Sequence, residues 1–155
     1  MFRRIQGRTK FLWLPVLTST TFTKGDVVGW DQDETTPAGK IIRMRFDTLT
    51  LNVVGVIRHT IAATDSDYAT ARLVEVEVPT ETNVVWEADV TSGLVAADRG
   101  KFQDIEAYAT SGDAGTVDRG ASVRDHVQCV KVVSTTKGHF ILNAGINGFG
   151  AVGAA

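Results

Sequence analysis

The side chains that could carry out chemistry are scattered along the chain rather than clustered. His59, His126 and His139 lie far apart, and none belongs to a HExxH motif or a Cys/His pair of the kind that binds zinc. The sequence also lacks a GxSxG nucleophile motif, a phosphate-binding loop and a dinucleotide fingerprint. We therefore predict structural or surface histidines in a protein that is not an enzyme, with no catalytic residues, no cofactor and no metal.

The acidic side chains form two short clusters, Asp31/Asp33/Glu34 and Asp65/Asp67. Neither follows the twelve-residue calcium loop with its central Gly and terminal Glu. Asp is common in turns because its carboxylate accepts hydrogen bonds from nearby backbone amides, so we interpret both clusters as turns. A hydrolase with two carboxylates across a cleft stays open as an alternative, because sequence spacing in an all-β protein does not exclude it.

The tryptophans and the single cysteine fall into two groups. Trp30, Trp86 and Cys129 lie in apolar, strand-like runs and are predicted to be buried or half-buried. Trp13 differs, because it lies in the apolar pentad FLWLP next to a basic segment. Aromatic residues and Arg are the usual anchors of protein interfaces, so Phe11 and Trp13 are candidates for partner binding, with a place in the core as the equal alternative.

Charge is distributed unevenly between the start of the chain and the rest. The first ten residues contain four cations and no acid, namely Arg3, Arg4, Arg8 and Lys10. The remainder has 12 basic and 18 acidic residues, which makes it a poor nucleic-acid binder. Arg3, Arg4 and Arg8 are predicted to contact an acidic protein surface, and a frayed, solvated terminus is the alternative. No apolar run approaches the ~20 residues of a membrane span, and we expect synthesis in a host cytoplasm.

The hydrophobic pattern has the period of two that is typical of β-strands. In residues 72–79, Val74, Val76 and Val78 would share one face, while Glu75 and Glu77 would face water. Similar runs predict strands at 26–30, 41–46, 51–59, 84–90, 102–109, 127–134 and 139–143. Only residues 95–102 could form a short helix, and Gly100 limits it.

Turn residues between these runs predict a single all-β domain, either a barrel or a sandwich. The two ends differ in composition from this body, so we expect an extended N-terminal arm over residues 1–20 and a C-terminal tail over residues 144–155. The tail is rich in Gly and Ala, but Ile146, Phe149 and Val152 recur at every third position. Phe149 is therefore a further candidate for an anchor on a partner.

Several segments resemble the small decoration, or cement, proteins of tailed-phage capsids. The segments are FTKGDVV (22–28), NVVGV (52–56), LVAADRGKFQD (94–104), VDR (117–119) and TKGHFIL (136–142). The resemblance spans residues 21–143 and rests on the order and spacing of Gly, Asp and apolar residues.

The resemblance implies a β-barrel or β-tulip-like domain on the outer surface of the virion. Such proteins commonly form homotrimers, bind the major capsid protein and stabilise contacts between its subunits. The family supplies no catalytic residues, and the two terminal segments lie outside the resemblance.

A carbohydrate-binding β-domain on a phage or bacterial surface is the alternative from a different functional class. It predicts a monomer with a concave face of aromatic residues, whereas the capsid interpretation predicts trimers that bind assembled shells. The sequence contains no dense aromatic cluster that favours the carbohydrate interpretation.

Overall fold

The computed structural model describes residues 1–30, 40–43, 53–91, 93–106, 115–120 and 126–143. The regular elements of this part of the chain are β-strands and one 3₁₀ turn, Ala96–Asp98. The strands are β1 (Arg3–Gln6), β2 (Thr9–Pro15), β3 (Val27–Trp30), β4 (Ile41–Arg43), β5 (Val53–Ile57), β6 (Leu73–Pro79), β7 (Val85–Asp89), β8 (Phe102–Ile105), β9 (Val117–Asp118), β10 (Val127–Ser134) and β11 (Lys137–Leu142).

The strands form two antiparallel sheets arranged as a sandwich. The first sheet has the order β1-β7-β11-β10-β8-β9, and the second has the order β2-β6-β5-β3-β4. A parallel bridge between Val16 and Ile41 brings the two ends of the second sheet together at one point, but the ladder does not close. The prediction of an all-β fold is confirmed, and its sandwich alternative is the form observed. The closed barrel is wrong, because each sheet keeps two edge strands.

The second sheet is buried on both faces. Consecutive residues enter different clusters: Val27 and Val56 pack between the sheets, whereas Val28 and Ile57 pack on the opposite face. The cluster between the sheets also contains Phe2, Val53, Val84, Trp86, Ala88, Val90, Leu94, Ile105, Val117, Val127, Cys129, Phe140 and Leu142. The opposite cluster is completed by Leu14, Val16, Phe22, Ile41, Val54, Ile61, Val74, Val76 and Val78.

Each of the eight predicted segments overlaps a strand, and residues 127–134 coincide with β10. The predicted helix is reduced to the 3₁₀ turn Ala96–Asp98. The sequence analysis missed β1, β2 and β9. The four residues of β1 are all exposed, so this strand has no alternation of apolar and polar residues to detect.

The N-terminal segment is part of the sandwich rather than an extended arm. Phe2 is fully buried in the cluster between the sheets, and its N–H donates to the carbonyl oxygen of Gly25 at 3.0 Å. β1 pairs with β7 in the first sheet, and β2 pairs with β6 in the second. Residues 1–15 therefore supply an edge strand to each sheet, and the predicted boundary at residue 20 does not separate an arm from the domain.

Gly7 makes this double contribution possible because it turns the chain from one sheet to the other. Its φ is +91°, and a Cβ there would lie 2.7 Å from Cα of Val84. A side chain at this position would meet both a strained backbone and a steric clash.

The burial of Phe2 yields a direct test of this N-terminal architecture. Phe2→Ala should lower the free energy of unfolding by about 3–5 kcal/mol, because it empties a site in the core. Ile5→Ala on the adjoining strand β1, where the side chain is exposed, should change it by less than about 0.5 kcal/mol. Urea unfolding of both variants measures the difference, and equal small effects would mean that the N-terminus is an arm outside the core.

Candidate binding surface

Phe11 and Trp13 lie side by side on the same face of edge strand β2. Their side chains are 51% and 60% exposed. The ring of His59, which follows β5, lies against Trp13 with 5.8 Å between ring centroids and an interplanar angle of 42°. We call Phe11, Trp13 and His59 the aromatic strip. Trp13 could have been an exposed interface residue or part of the core, and the structure shows that it is exposed.

The position of the strip follows from strand pairing. Phe11 is directly opposite Glu77 of β6, and Glu77 is directly opposite Val56 of β5. Directly opposite residues share a face of a sheet. The strip therefore extends the face that packs on the first sheet, but at the edge strand this face is open to solvent.

The outer backbone edge of β2 has no partner strand among the described residues. Thr80 donates to the carbonyl of Arg8, and Val16 donates to the carbonyl of Arg72. In an antiparallel ladder this means that even-numbered residues of β2 turn their N–H and C=O groups toward β6. The N–H and C=O groups of Phe11 and Trp13 point away from β6, and no strand of the described residues pairs with them.

Of the three predicted basic contacts, Arg3 and Arg4 are neutralised within the chain. Arg3 donates to Oε1 of Glu87 at 2.7 Å across the β1–β7 pair. Nε of Arg4 lies 2.6 Å from Oε1 of Glu77. The side chain of Arg8 is exposed and has no ion pair among the described residues, although its backbone N–H donates to Glu81 at 2.7 Å. The basic segment is therefore a weaker candidate for binding than the sequence analysis expected.

Glu77 is the largest departure from the sequence analysis, because it is fully buried instead of facing water. Its carboxylate accepts a hydrogen bond from Oγ1 of Thr9 at 2.8 Å and forms ion pairs with Arg4 and Arg58. Burial lowers the pKa of Arg58, and the positive charge of Arg4 lowers it further. The face of β6 that carries Glu77 is covered by the first sheet, which includes β1, so the buried carboxylate is neutralised by cations from both sheets.

A second buried carboxylate, Asp26, ties loops to the sandwich. Its oxygens accept hydrogen bonds from the backbone N–H groups of Thr23 at 2.6 Å and Gly115 at 2.9 Å. Nε of Arg43 lies 3.0 Å from Oδ2. Asp26 and Glu77 therefore act as structural anchors between segments that are distant in sequence.

Asp98 anchors the 3₁₀ turn to the first sheet. It accepts hydrogen bonds from the N–H of Val95 at 2.9 Å, Nε of Arg119 at 2.6 Å and Nζ of Lys101 at 3.2 Å. These contacts, led by the backbone N–H of Val95, lower the pKa of Asp98 to about 2. The carboxylate is thus held ionised by its surroundings.

The contacts of His126, Cys129 and Asp65 indicate structural roles for these residues. Nδ1 of the buried His126 accepts the N–H of Ile105 at 3.0 Å. Cys129 is buried, as predicted, and burial raises the pKa of its thiol. Asp65 accepts the N–H of Ala62 at 3.0 Å, which confirms the interpretation of this acidic cluster as a turn.

Arg72 lies between Asp65 and Asp67, with Nη1 at 2.5 Å from Oδ1 of Asp67. The hydrogen bond from Arg72 lowers the pKa of Asp67. Phe149 and the cluster Asp31/Asp33/Glu34 lie outside the described residues. Within those residues, no group of three His, Cys, Asp or Glu side chains could hold a metal ion, and no helix is long and apolar enough to cross a membrane.

No protein-family model, curated protein or solved structure matches this chain. The function is therefore inferred from the surface itself. The sequence analysis identified Phe11 and Trp13 but missed His59, whose contact with Trp13 joins residues 46 positions apart in the chain. It also missed the open backbone edge beside them, because β2 itself was not predicted.

The buried Glu77 can be compared with Glu75, which lies two residues away on the same face of β6. Glu77→Ala should destabilise the protein by about 3 kcal/mol, because it leaves Arg4 and Arg58 without their shared carboxylate. Glu75→Ala should cost less than about 1 kcal/mol. Chemical unfolding of the two variants measures this contrast, which would vanish if both carboxylates were solvated.

The lowered pKa of Asp98 predicts a dependence of stability on pH. Since its folded pKa of about 2 is below the ordinary value of 3.8, the stabilisation is present above about pH 4 and is lost as the pH falls toward 2. Asp98→Asn should reduce stability at neutral pH and flatten this part of the profile. Unfolding free energies measured from pH 5 to pH 2 would contradict the assignment if both proteins showed the same slope.

Proposed function

We propose that this chain is a non-enzymatic structural protein that binds an assembled protein surface through its aromatic strip. The observation that carries the proposal is the exposure of Phe11 and Trp13 next to each other on one sheet face. Large aromatic side chains dominate the binding energy of protein interfaces when they become buried. Exposed side by side in an otherwise well-packed sandwich, they favour docking over a role in folding.

The surface proposed is the outside of a tailed-phage capsid. This part of the proposal is supported by the resemblance of residues 21–143 to capsid decoration proteins, and the partner is then the major capsid protein. Binding only to the assembled shell would stabilise contacts between capsid subunits by mass action. Because a shell repeats the same site many times, modest individual contacts would be sufficient. The protein would reside on the outer surface of the virion.

The strip is a better candidate for the shell contact than the basic residues. Arg3 and Arg4 already have carboxylate partners, so transferring them to a capsid surface would break existing ion pairs. Arg8 is exposed at the N-terminal end of the strip and could contact an acidic group beside the aromatic anchors. The proposed interface is therefore mainly apolar, with Arg8 at its rim.

Substitutions on the strip test this function without disturbing the core. Phe11→Ala and Trp13→Ala should each weaken binding to expanded tailed-phage shells lacking a decoration protein by about tenfold or more. Phe102→Ala is the matched control, because Phe102 is also an exposed aromatic residue but lies on β8 of the first sheet. Co-sedimentation measures occupancy, and thermal unfolding checks that each variant folds.

Deleting residues 1–14 would be a poor test of the strip, since the deletion would also remove Phe2, β1 and most of β2.

Equal shell occupancy for the wild type, Trp13→Ala and Phe102→Ala would exclude the strip as the shell contact. Failure of the wild type to bind shells would overturn the capsid function.

One observation favours the carbohydrate-binding alternative. The exposed Trp13 ring has Glu75 directly opposite on β6, which places an aromatic surface beside a hydrogen-bonding carboxylate. Sugar rings stack on such aromatic surfaces. Binding to a glycan array that is lost in Trp13→Ala and retained in Phe102→Ala would support this function instead.

A further inference from the structure

We propose that β2 is also a self-association edge, where a second copy of this chain pairs antiparallel with it across a two-fold axis at Leu12. The proposal rests on the proposed function in one respect: the same strand carries the aromatic strip. It adds the partner at the open edge, and its test does not require a shell.

The outer edge of β2 offers backbone hydrogen-bonding groups that no described strand pairs with. The N–H and C=O groups of Thr9, Phe11 and Trp13 point away from β6, and Pro15 at the end of the strand offers only a carbonyl. Leu17, two residues further, already donates its N–H to Ile41 at 3.2 Å. The open edge is therefore confined to the seven residues of β2, and Gly7 bounds it at the other end.

This edge is also complementary to itself. With the axis at Leu12, Phe11 is opposite Trp13 of the other copy and Thr9 is opposite Pro15. Each of these pairs joins residues whose backbone groups point outward, so the two strands can form up to about six hydrogen bonds. Pro15 accepts a bond from Thr9 but has no N–H to donate in return, so the outward carbonyl of Thr9 receives no bond from the partner strand.

The side chains and charges along β2 are compatible with this pairing. Pairing places Phe11 and Trp13 of the two copies in direct contact on one face, and such aromatic cross-strand pairs are stabilising. Lys10 lies opposite Leu14 of the other copy, so no like charges face each other. The edge is thus free of the charge repulsion that would oppose pairing with itself.

Pairing would also enlarge the proposed docking surface. Because directly opposite residues share a face, the two aromatic strips would merge into one patch around the two-fold axis. A pairing of seven residues buries less surface than the ~1,200 Å² of the smallest stable interfaces, so the dimer should be weak in solution. On a shell, where copies are held close together, the same contact would be populated more strongly.

Sedimentation velocity from about 1 μM to about 1 mM tests the pairing. The wild type should shift reversibly from monomer to dimer. A monomer throughout this range would overturn the proposal, and so would a trimer, which the resemblance to decoration proteins implies.

Backbone and side-chain contributions can be separated at position 13. Trp13→Pro removes the outward N–H and spares the bonds to β6, whereas Trp13→Ala keeps that N–H and loses the aromatic contact. The Pro variant should dimerise about tenfold more weakly than the Ala variant, because two intermolecular hydrogen bonds are lost. Equal dimerisation of the two variants would exclude pairing through the backbone of this edge.

A cross-link locates the axis without a proline. Leu12→Cys should form an intermolecular disulfide under mild oxidation, since the two Leu12 residues would face each other with Cα atoms about 4.5 Å apart. Lys10→Cys is the control and should cross-link much more slowly. The native Cys129 is buried and does not compete. Equal rates for both variants would overturn the register.

The outcomes also separate this inference from the proposed function. A monomer that still sediments with shells would overturn the pairing alone. A dimer that ignores shells would overturn the capsid function alone.

Discussion

Burial of the second sheet on both faces is the constraint on which the other features of this protein depend. A sheet with one solvated face can place polar residues on that face without cost. Here one face packs on the first sheet and the other covers a separate apolar cluster, so most side chains of its central strands have no access to solvent. Any charged residue on them must be neutralised inside the protein.

Glu77 and Asp26 show how the chain meets this requirement. Each carboxylate is fully buried, and each is held by groups from segments far away in the sequence. Glu77 gathers Arg4 from β1, Thr9 from β2 and Arg58 after β5. Because Arg4 belongs to the first sheet and Glu77 to the second, this ion cluster also joins the two sheets. Because Arg4 is paired with Glu77, it is not available to pair with an acidic group of a partner protein.

The N-terminal segment has two consequences for the surface. By crossing from β1 to β2 at Gly7, it supplies an edge to both sheets and closes the side of the core around Phe2. It also leaves the outer backbone of β2 open, with Phe11 and Trp13 beside it. The molecule therefore combines a well-satisfied interior with one edge where apolar side chains and backbone groups lack partners among the described residues. Such an edge is suited to recognition, because strand addition and aromatic contacts can act together.

Local sequence patterns were sufficient to predict the all-β class, eight of the strand segments and the buried character of Trp86 and Cys129. These follow from local alternation and from apolar runs that do not depend on the partner strand. The exposed β1 has no such signal, and the alternation in β6 predicted a solvated Glu77. Only the tertiary structure decided that β6 is covered on both sides, that Arg4 serves Glu77, and that His59 lies against Trp13. Alternation reports which residues share a face, whereas the layers stacked on that face depend on strand order and on contacts between distant segments.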